Sequence, residues 1–323
     1  MNKVLITGAC GFIGSHLVEY FVNKSIKVLA YDKYNFSSNI GWLTNNKNIK
    51  NTEIILGDIN DYSLTNKLIR EVDYVIHLAA LISIPYSYFS PGSYVKTNVE
   101  GTYNILESAR LNRKKVIVTS TSEVYGTGIE FPMSEKHRIF AQSPYAATKI
   151  AADNLALSYF NSFNLPVKII RPFNAFGPRQ SNRAIIPSVI SQILSKSNQI
   201  KVGNISPKRD WTYVTDLCEA YYNLYKSKRG FGNIYNVGTG TDRSVREMIN
   251  ISQKICGTKK KLIFETKRKR PLKSEVNKLL CNPKKFKKEI GWKSKISFQK
   301  GLKQTIKWIK EDLKNRTPEK YHI

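Results

Sequence analysis

The chain has 323 residues, of which 41% are hydrophobic and 11% aromatic, enough to bury one large core or two moderate ones and too apolar for a disordered chain. Lys and Arg number 52 against 24 Asp and Glu, a formal charge of +28, but the lysines are spread along the chain and the densest run, 259–288, lacks aromatics interleaved to stack bases, so no nucleic-acid partner is expected. No apolar run approaches the roughly 18–20 residues that span a bilayer, no signal peptide precedes the first strand, and four scattered cysteines suggest neither disulfides nor a zinc site, so the expectation is a cytoplasmic protein with no membrane partner and no metal.

A strand is expected at 3–7 and a helix at 12–23. Thr7-Gly8-Ala9-Cys10-Gly11-Phe12-Ile13-Gly14 joins them. A helix amino end offers free N–H groups and a positive dipole to a pyrophosphate. Glycines there let the backbone approach the phosphates and let helix pack on strand. The spacing G-x-x-G-x-x-G differs from the general dinucleotide fingerprint, and glycines alone are a weak signal. The strand before and the amphipathic helix after carry the reading, which makes Gly8, Gly11, Phe12, Ile13 and Gly14 candidate cofactor residues. A strand at 26–31 leads to Asp32, whose carboxylate can accept ribose hydroxyls and repel a 2′-phosphate. That favours NAD over NADP, although Lys33 follows directly. After a strand at 53–56, Asp58 and Ile59 stand where a carboxylate can meet the adenine amino group. A helix at 63–70 and a strand at 74–77 lead to Leu78-Ala79-Ala80, where small side chains leave room for the cofactor.

A helical pattern at 93–111 precedes a strand at 116–120 and the segment Thr121-Ser122-Glu123-Val124-Tyr125-Gly126. A helix at 145–163 then opens with Tyr145-Ala146-Ala147-Thr148-Lys149. Tyr and Lys at i and i+4 share one helical face. The ammonium is expected to lower the phenol pKa, so that a phenolate removes a hydroxyl proton near neutral pH. Lys149 can also hold the nicotinamide ribose, and Thr121 can bond the same substrate hydroxyl. Strand alternation is expected to place Glu123 on the side of Thr121. A lone Tyr-x-x-x-Lys recurs by chance; the Thr-bearing strand end and the glycine turn give it weight.

A strand at 167–170, a Pro- and Gly-punctuated stretch from 172, a helix at 185–194, a strand at 234–237 and a helix at 245–256 follow. Strands spaced by helices predict an α/β fold, a Rossmann-like doubly wound parallel sheet with a smaller mixed C-terminal substrate domain. The expected division is 1–172, with a returning segment near 212–238, against 173–211 and 239–323. Ligands should gather beyond the carboxyl ends of the strands.

These residues resemble the extended short-chain dehydrogenase/reductases that act on nucleotide sugars as epimerases and dehydratases. The resemblance spans nearly the whole chain. It includes the glycine turn, Thr121 with Tyr145 and Lys149, Asn98 in Thr97-Asn98-Val99-Glu100-Gly101-Thr102, Arg171-Pro172-Phe173-Asn174 and Gly177-Pro178-Arg179. It continues through Arg209-Asp210-Trp211-Thr212-Tyr213 and Arg270-Pro271 with Glu275-Val276. The resemblance implies NAD as cofactor, with Asn98 on the cofactor side, and a UDP- or GDP-linked sugar as substrate. Arg209 and Arg270 would hold the diphosphate, since a guanidinium fork matches phosphate oxygens. Asn174 and Arg179 would lie near the sugar or its first phosphate, Glu275 on the substrate ribose, and Ser83 and Tyr86 at the sugar. A homodimer through a four-helix bundle built from 101–111 and 145–163 is also implied.

Members of this family share an opening step in which Tyr145 would take the proton of the sugar 4-hydroxyl while NAD accepts hydride from carbon 4. A base at Glu123 could then remove the proton on carbon 5. Water would leave from carbon 6 and hydride return there, giving a 4-keto-6-deoxy sugar. Dehydratases similar to this chain read Thr-Asp-Glu or Thr-Ser-Glu; here the segment is Thr121-Ser122-Glu123. Glu123 would therefore carry the proton to the leaving oxygen, with Ser122 orienting it. Leu81-Ile82-Ser83-Ile84-Pro85-Tyr86-Ser87-Tyr88 with Ala141-Gln142-Ser143-Pro144 is most similar to the N-acetylglucosamine-nucleotide 4,6-dehydratases of legionaminic acid biosynthesis. A hydro-lyase is the leading expectation. UDP-glucuronate decarboxylases, which share Ser-Thr-Ser-Glu-Val-Tyr-Gly, and 4-epimerases, which need no Glu123, are the alternatives. An NAD-sensing or nucleic-acid-binding protein on the same fold is the non-enzyme alternative, opposed by the presence of both Tyr145 and Lys149.

Overall fold

The computed structural model describes residues 3–44, 49, 52–318, 320 and 321. Its main sheet has seven strands, all parallel to their neighbours. β1 (Lys3–Thr7) lies inside it, between β2 (Lys27–Lys33) and β4 (Tyr74–His77). β3 (Glu53–Gly57) closes one edge, and β5 (Lys115–Thr119), β6 (Val167–Pro172) and β10 (Ile234–Val237) extend to the other. Val4, Leu5 and Ile6 are all fully buried, the near-continuous apolar run of a parallel strand covered on both faces. Thr7 pairs with Tyr31 on one side and with His77 on the other. The glycine turn, Asp32 and Leu78 therefore emerge side by side at one end of the sheet, where such folds bind ligands.

Helices α1 (Phe12–Val22) and α8 (Val214–Lys226) cover one face, packing Leu17, Val18 and Phe21 with Leu217, Tyr221 and Leu224. Helices α2 (Tyr62–Arg70), α5 (Gly101–Leu111) and α6 (Pro144–Phe163) cover the other through Leu68, Ile105, Leu106, Ala156 and Tyr159. The start of α6 is locally encoded: Ser143 accepts a hydrogen bond from the Ala146 amide at 3.1 Å, and Pro144 stands in the first turn. It ends at Asn164 in the left-handed region.

The helix expected over 93–111 is present, continuous from 91 to 111, but it contains a π-helical stretch. Short helices α3 (Ile84–Phe89) and α4 (Pro91–Tyr94) lead into a π-helical turn, Val95–Glu100, before α5. Periodicity cannot register one such wide turn, which is held by tertiary bonds from Asn98 described below.

Beyond residue 172 a smaller lobe is built on α7 (Ile185–Leu194), α9 (Val245–Cys256) and α11 (Phe298–Asp312), with Ile186, Ile190, Met248 and Leu302 in its core. β9 (Lys208–Tyr213) pairs with β7 (Asn174–Phe176), β11 (Asp242–Ser244) and β13 (Lys278–Leu279). β8 (Gln199–Val202) pairs with β12 (Lys261–Phe264). These strands have two to six residues, too few for a periodic pattern to stand out. β10 returns from this half of the chain to join the main sheet beside β6. Among the described residues no helix is long and apolar enough to cross a membrane, and no group of three or more His, Cys, Asp or Glu is arranged to hold a metal ion.

Candidate active site

The glycine turn is built for close approach. Gly8 has φ +68°, and a Cβ there would lie 2.9 Å from the Ala79 amide nitrogen. A Cβ on Gly14 would lie 2.0 Å from the Gly8 carbonyl, so α1 can pack against the turn only with glycine at this position. Gly11 meets only the Gly8 carbonyl at 3.4 Å and leaves its outer side to a ligand. No side chain caps α1 and no acid stands in its first turn, so the N–H groups around Phe12 and Ile13 suit a pyrophosphate. Asp32 accepts from the Cys10 amide at 2.6 Å and the Lys33 amide at 2.7 Å, which fixes its carboxylate beneath the turn with lone pairs left for ribose hydroxyls. The Lys33 ammonium lies 3.8 Å from Asp58, whose other oxygen accepts from Asn60. Buried Ile59 fills the space against Gly101, where a Cβ would meet it at 2.4 Å. The amides of Leu78 and Ala79 donate to Thr7 Oγ1, at 3.1 and 3.0 Å, which sets the backbone that leads into Ala80. These features fit a dinucleotide such as NAD.

Asn98 differs from expectation. Its Oδ1 accepts from the Leu81 amide at 2.8 Å, and its Nδ2 donates to the Leu81 carbonyl at 3.0 Å and to Thr148 Oγ1 at 3.1 Å. The side chain is fully engaged within the protein. It ties the loop after β4 to α6 and so positions the site.

β5 stops at Thr119, and Ser122–Tyr125 form a 3-10 turn rather than a continued strand. Strand alternation is thus the wrong reason for placing Glu123 beside Thr121. The turn does it: Thr121 Oγ1 accepts from the Glu123 amide at 3.2 Å, capping the turn. Ser122 is buried at 2% exposure and Glu123 at 8%. Tyr145 is the second residue of α6, buried, with its ring edge-to-face to Tyr94 and its hydroxyl near Thr121. Burial is the largest influence on that phenol and pushes it above the ordinary tyrosine value; the Thr121 side chain works against this, and the Glu123 charge adds to it. Lys149, one turn along the same helical face, is not among the leading influences on this phenol. Lys149 is itself pushed down to about 8 by burial, against the Asp153 carboxylate, which favours its charge.

Behind this pair runs a buried network absent from the sequence reading. Asp153 accepts from Ser120 Oγ at 2.7 Å and from Arg171 Nε at 2.9 Å. Arg171 Nη1 donates to Tyr125 OH at 2.9 Å, and Tyr125 donates to Asn236 at 2.7 Å. The available signal was Asp153 one further turn along the Tyr145–Lys149 face. His77 closes the other side, bonded to Thr7 at 2.8 Å and to Thr102 at 3.1 Å; burial first and the Lys149 charge second lower it to about 3.

The substrate residues converge from distant segments. Arg270 Nη1 lies 3.9 Å from Glu123 and 3.9 Å from Glu275, and Arg209 Nη2 lies 3.8 Å from Glu275. Arg209 is buried, and burial lowers its pKa below the usual arginine value. Arg270 Nη1 and Asn174 Oδ1 are both buried without a hydrogen-bond partner, so polar groups here are left for a ligand. Ser83 gives its carbonyl to Tyr94 OH at 2.5 Å, and Tyr86 is 40% exposed with its ring 6.2 Å from that of Tyr94. Arg179 goes elsewhere. Its guanidinium holds Glu19 at 2.6 Å and Ser15 at 3.2 Å, both on α1, so its charge is spent fastening the loop after β7 to the cofactor helix rather than pointing at a sugar. The positive φ of 67° at Arg179 turns the backbone there.

A family model described as GDP-mannose 4,6 dehydratase matches residues 5–305. A probable dTDP-glucose 4,6-dehydratase of Sinorhizobium fredii is 32% identical over 96% of this chain and 93% of its own length. A trifunctional UDP-glucose 4,6-dehydratase of Arabidopsis thaliana is 30% identical over 96% of this chain, which spans about half, 48%, of that longer protein. Among solved structures, the dTDP-glucose 4,6-dehydratase DesIV of Streptomyces venezuelae, with NAD bound, superimposes with a TM-score of 0.89 at 27% identity over 98% of this chain and 100% of its own. A UDP-glucose 4-epimerase of Thermotoga maritima superimposes with a TM-score of 0.86 at 28% identity, over 96% and 99%. With the glycine turn, Thr121, Tyr145, Lys149 and the converging arginines in place, the chain belongs to the GDP-mannose 4,6-dehydratase family of extended short-chain dehydrogenase/reductases.

Proposed function

We propose that the chain is an NAD-dependent 4,6-dehydratase of UDP- or GDP-N-acetylglucosamine, yielding the 4-keto-6-deoxy sugar. The observation that carries this is Glu123, held by the Thr121 cap close enough to Tyr145 for its charge to act on the phenol and 3.9 Å from Arg270. A 4-epimerase has no need of a base there. When bound, NAD supplies the redox partner for carbon 4 of the sugar. Tyr145 takes the proton of the 4-hydroxyl, and Thr121 holds that hydroxyl in place. Lys149 holds the nicotinamide ribose. Glu123 takes the proton from carbon 5, acidified by the carbonyl at carbon 4, and delivers it to the hydroxyl that leaves carbon 6 as water, with Ser122 orienting the carboxylate; with hydride returned to carbon 6, carbon 5 regains a proton that balances the one Tyr145 took from the 4-hydroxyl. Arg209, Arg270, Glu275 and Asn174 bind the nucleotide diphosphate end, and Ser83 and Tyr86 flank the sugar. The N-acetylglucosamine assignment draws on the similarity of 81–88 and 141–145 to that dehydratase group.

Incubation with UDP-N-acetylglucosamine, GDP-N-acetylglucosamine and dTDP-glucose, followed by product mass, tests the reading. Loss of one water from an N-acetylglucosamine nucleotide without net NADH supports it. Water loss from dTDP-glucose alone keeps the dehydratase and rejects the sugar. Unchanged mass with inverted carbon 4 indicates an epimerase, and carbon dioxide from UDP-glucuronate a decarboxylase. These are the second reading, supported by the superposition on a UDP-glucose 4-epimerase with a TM-score of 0.86.

A further inference from the structure

Gln142 belongs to none of the roles above, yet it touches three parts of the site at once. It stands just before Ser143, the cap of α6, and so just ahead of Tyr145. Its Oε1 accepts from the Thr127 amide at 2.5 Å, on the segment that leaves the Glu123 turn. Its Nε2 donates to the Lys273 carbonyl at 2.8 Å and the Glu275 carbonyl at 3.4 Å. Its own carbonyl accepts from Ser274 Oγ at 2.5 Å, and Ser274 in turn bonds Tyr88 at 2.6 Å. Gly126, with φ +61°, leaves room here: a Cβ there would lie 2.5 Å from the Phe140 carbonyl and 2.7 Å from Gln142 Oε1.

The segment held in this way is 270–277, which carries Arg270 and Glu275. Its regular structure is one 3-10 turn, Leu272–Ser274, with Leu272 at 92% exposure. Val276 anchors the end of the segment in an apolar cluster with Val124, Tyr125 and Phe173, but the turn itself buries no residue, so hydrogen bonds must locate it. We propose that Gln142 is a positioning residue for the diphosphate-binding strap: it sets Arg270 and Glu275 against Glu123 and Tyr145. This rests on the nucleotide-sugar reading above. The task demands an amide, because one side chain must accept from Thr127 and donate to two carbonyls simultaneously. A carboxylate accepts but cannot donate, and a thioether offers no N–H.

Gln142→Glu and Gln142→Met test it, with affinities for UDP, GDP, dTDP and NAD measured by calorimetry alongside KM, kcat and thermal unfolding. Both variants should bind the preferred nucleoside diphosphate roughly ten-fold more weakly and raise KM by a similar factor, the effect of one or two lost hydrogen bonds. NAD affinity should hold and kcat should stay within about three-fold, a split that general destabilisation would not give. Ser274→Ala, which removes the bond from the strap to the Gln142 carbonyl, should weaken the same ligand about three-fold and covers the case in which the Gln142 variants unfold. Unchanged diphosphate affinity in variants of a binding-competent enzyme, or a loss confined to kcat, overturns the role of Gln142. A wild-type protein that binds none of the three diphosphates sinks the nucleotide-sugar reading itself, and this role with it.

Discussion

Glu123 and His77 show how single residues carry the chemistry and its limits. Glu123 is nearly buried, capped into place, and faces both Tyr145 and Arg270. Glu123→Gln keeps its shape and removes its basicity. Dehydration should fall roughly 10²–10⁴-fold, the usual worth of a positioned acid–base group, while NADH still accumulates on the enzyme because oxidation at carbon 4 needs only Tyr145. Normal dehydration by this variant would remove Glu123 as the base. His77 sets a limit at acid pH. Its folded value is about 3 against an ordinary 6.5, because burial and the Lys149 charge disfavour the imidazolium. Between those values the unfolded chain binds the extra proton, so stability is lost as pH falls from about 6.5 towards 3, by up to about 1.4 kcal/mol per pH unit for one such histidine. His16, lowered to about 4 by burial, adds a second, similar contribution. The urea midpoint of His77→Asn should therefore vary less between pH 6.5 and 4.5 than that of the wild type. Parallel curves would show that His77 does not titrate as described.

At the scale of elements, α6 is the spine of the site. Tyr145, Lys149 and Asp153 follow at successive turns of one face, so the phenol, the ammonium and the carboxylate that balances it share one rigid support. Asp153 also pairs with Arg171, and both side chains are almost wholly buried. Asp153→Asn leaves that guanidinium without its counter-charge. The expected cost is about 3–5 kcal/mol in urea unfolding, with the Lys149 value falling further once its partner charge is gone. A change below 1 kcal/mol would mean that water or another group already screens Arg171. The sequence makes much of this element readable, because Tyr-x-x-x-Lys, the Ser143 cap and the Pro144 start are all local signals. Asp153 escaped because its partner Arg171 lies on strand β6 and only the fold brings the two together. The same reason accounts for the other departures. The neighbourhood of Thr121 and Glu123 was anticipated, but a capped turn creates it. The 93–111 helix contains a wide π turn that Asn98 holds through tertiary bonds, and Arg179 answers to Glu19 on a helix far away in sequence. The glycine turn and Asp32 were legible because their geometry is local to one strand–turn–helix unit.

For the whole molecule, charge and apolar surface pull in opposite directions. A formal charge of +28 makes two copies repel, yet α5 and α6 leave Tyr103, Leu111 and Phe163 between 46% and 54% exposed on the outer side of the sheet. Arg110 covers the Phe163 ring at 5.0 Å and is itself paired with Glu107 at 2.5 Å, so the fixed charge near this face is partly balanced locally. We propose that two copies pair through these helices in a four-helix bundle. Burial of such side chains is driven by their apolar area, which moderate salt leaves in force, whereas the long-range repulsion decays over a Debye length of about 10 Å at 0.1 M salt. Association should therefore strengthen as salt rises from low to moderate concentration, the reverse of an interface held by charge pairs. Sedimentation should give twice the 36.9 kDa chain mass, with the dimer persisting to lower protein concentration at 0.3 M salt than at 0.03 M. Leu111→Glu with Phe163→Glu should yield monomer with NAD affinity intact, because neither side chain faces the cofactor turn. A wild-type monomer at all these salt concentrations and tens of micromolar protein would reject the bundle, and a dimer that weakens as salt rises would place the interface on a charged surface instead.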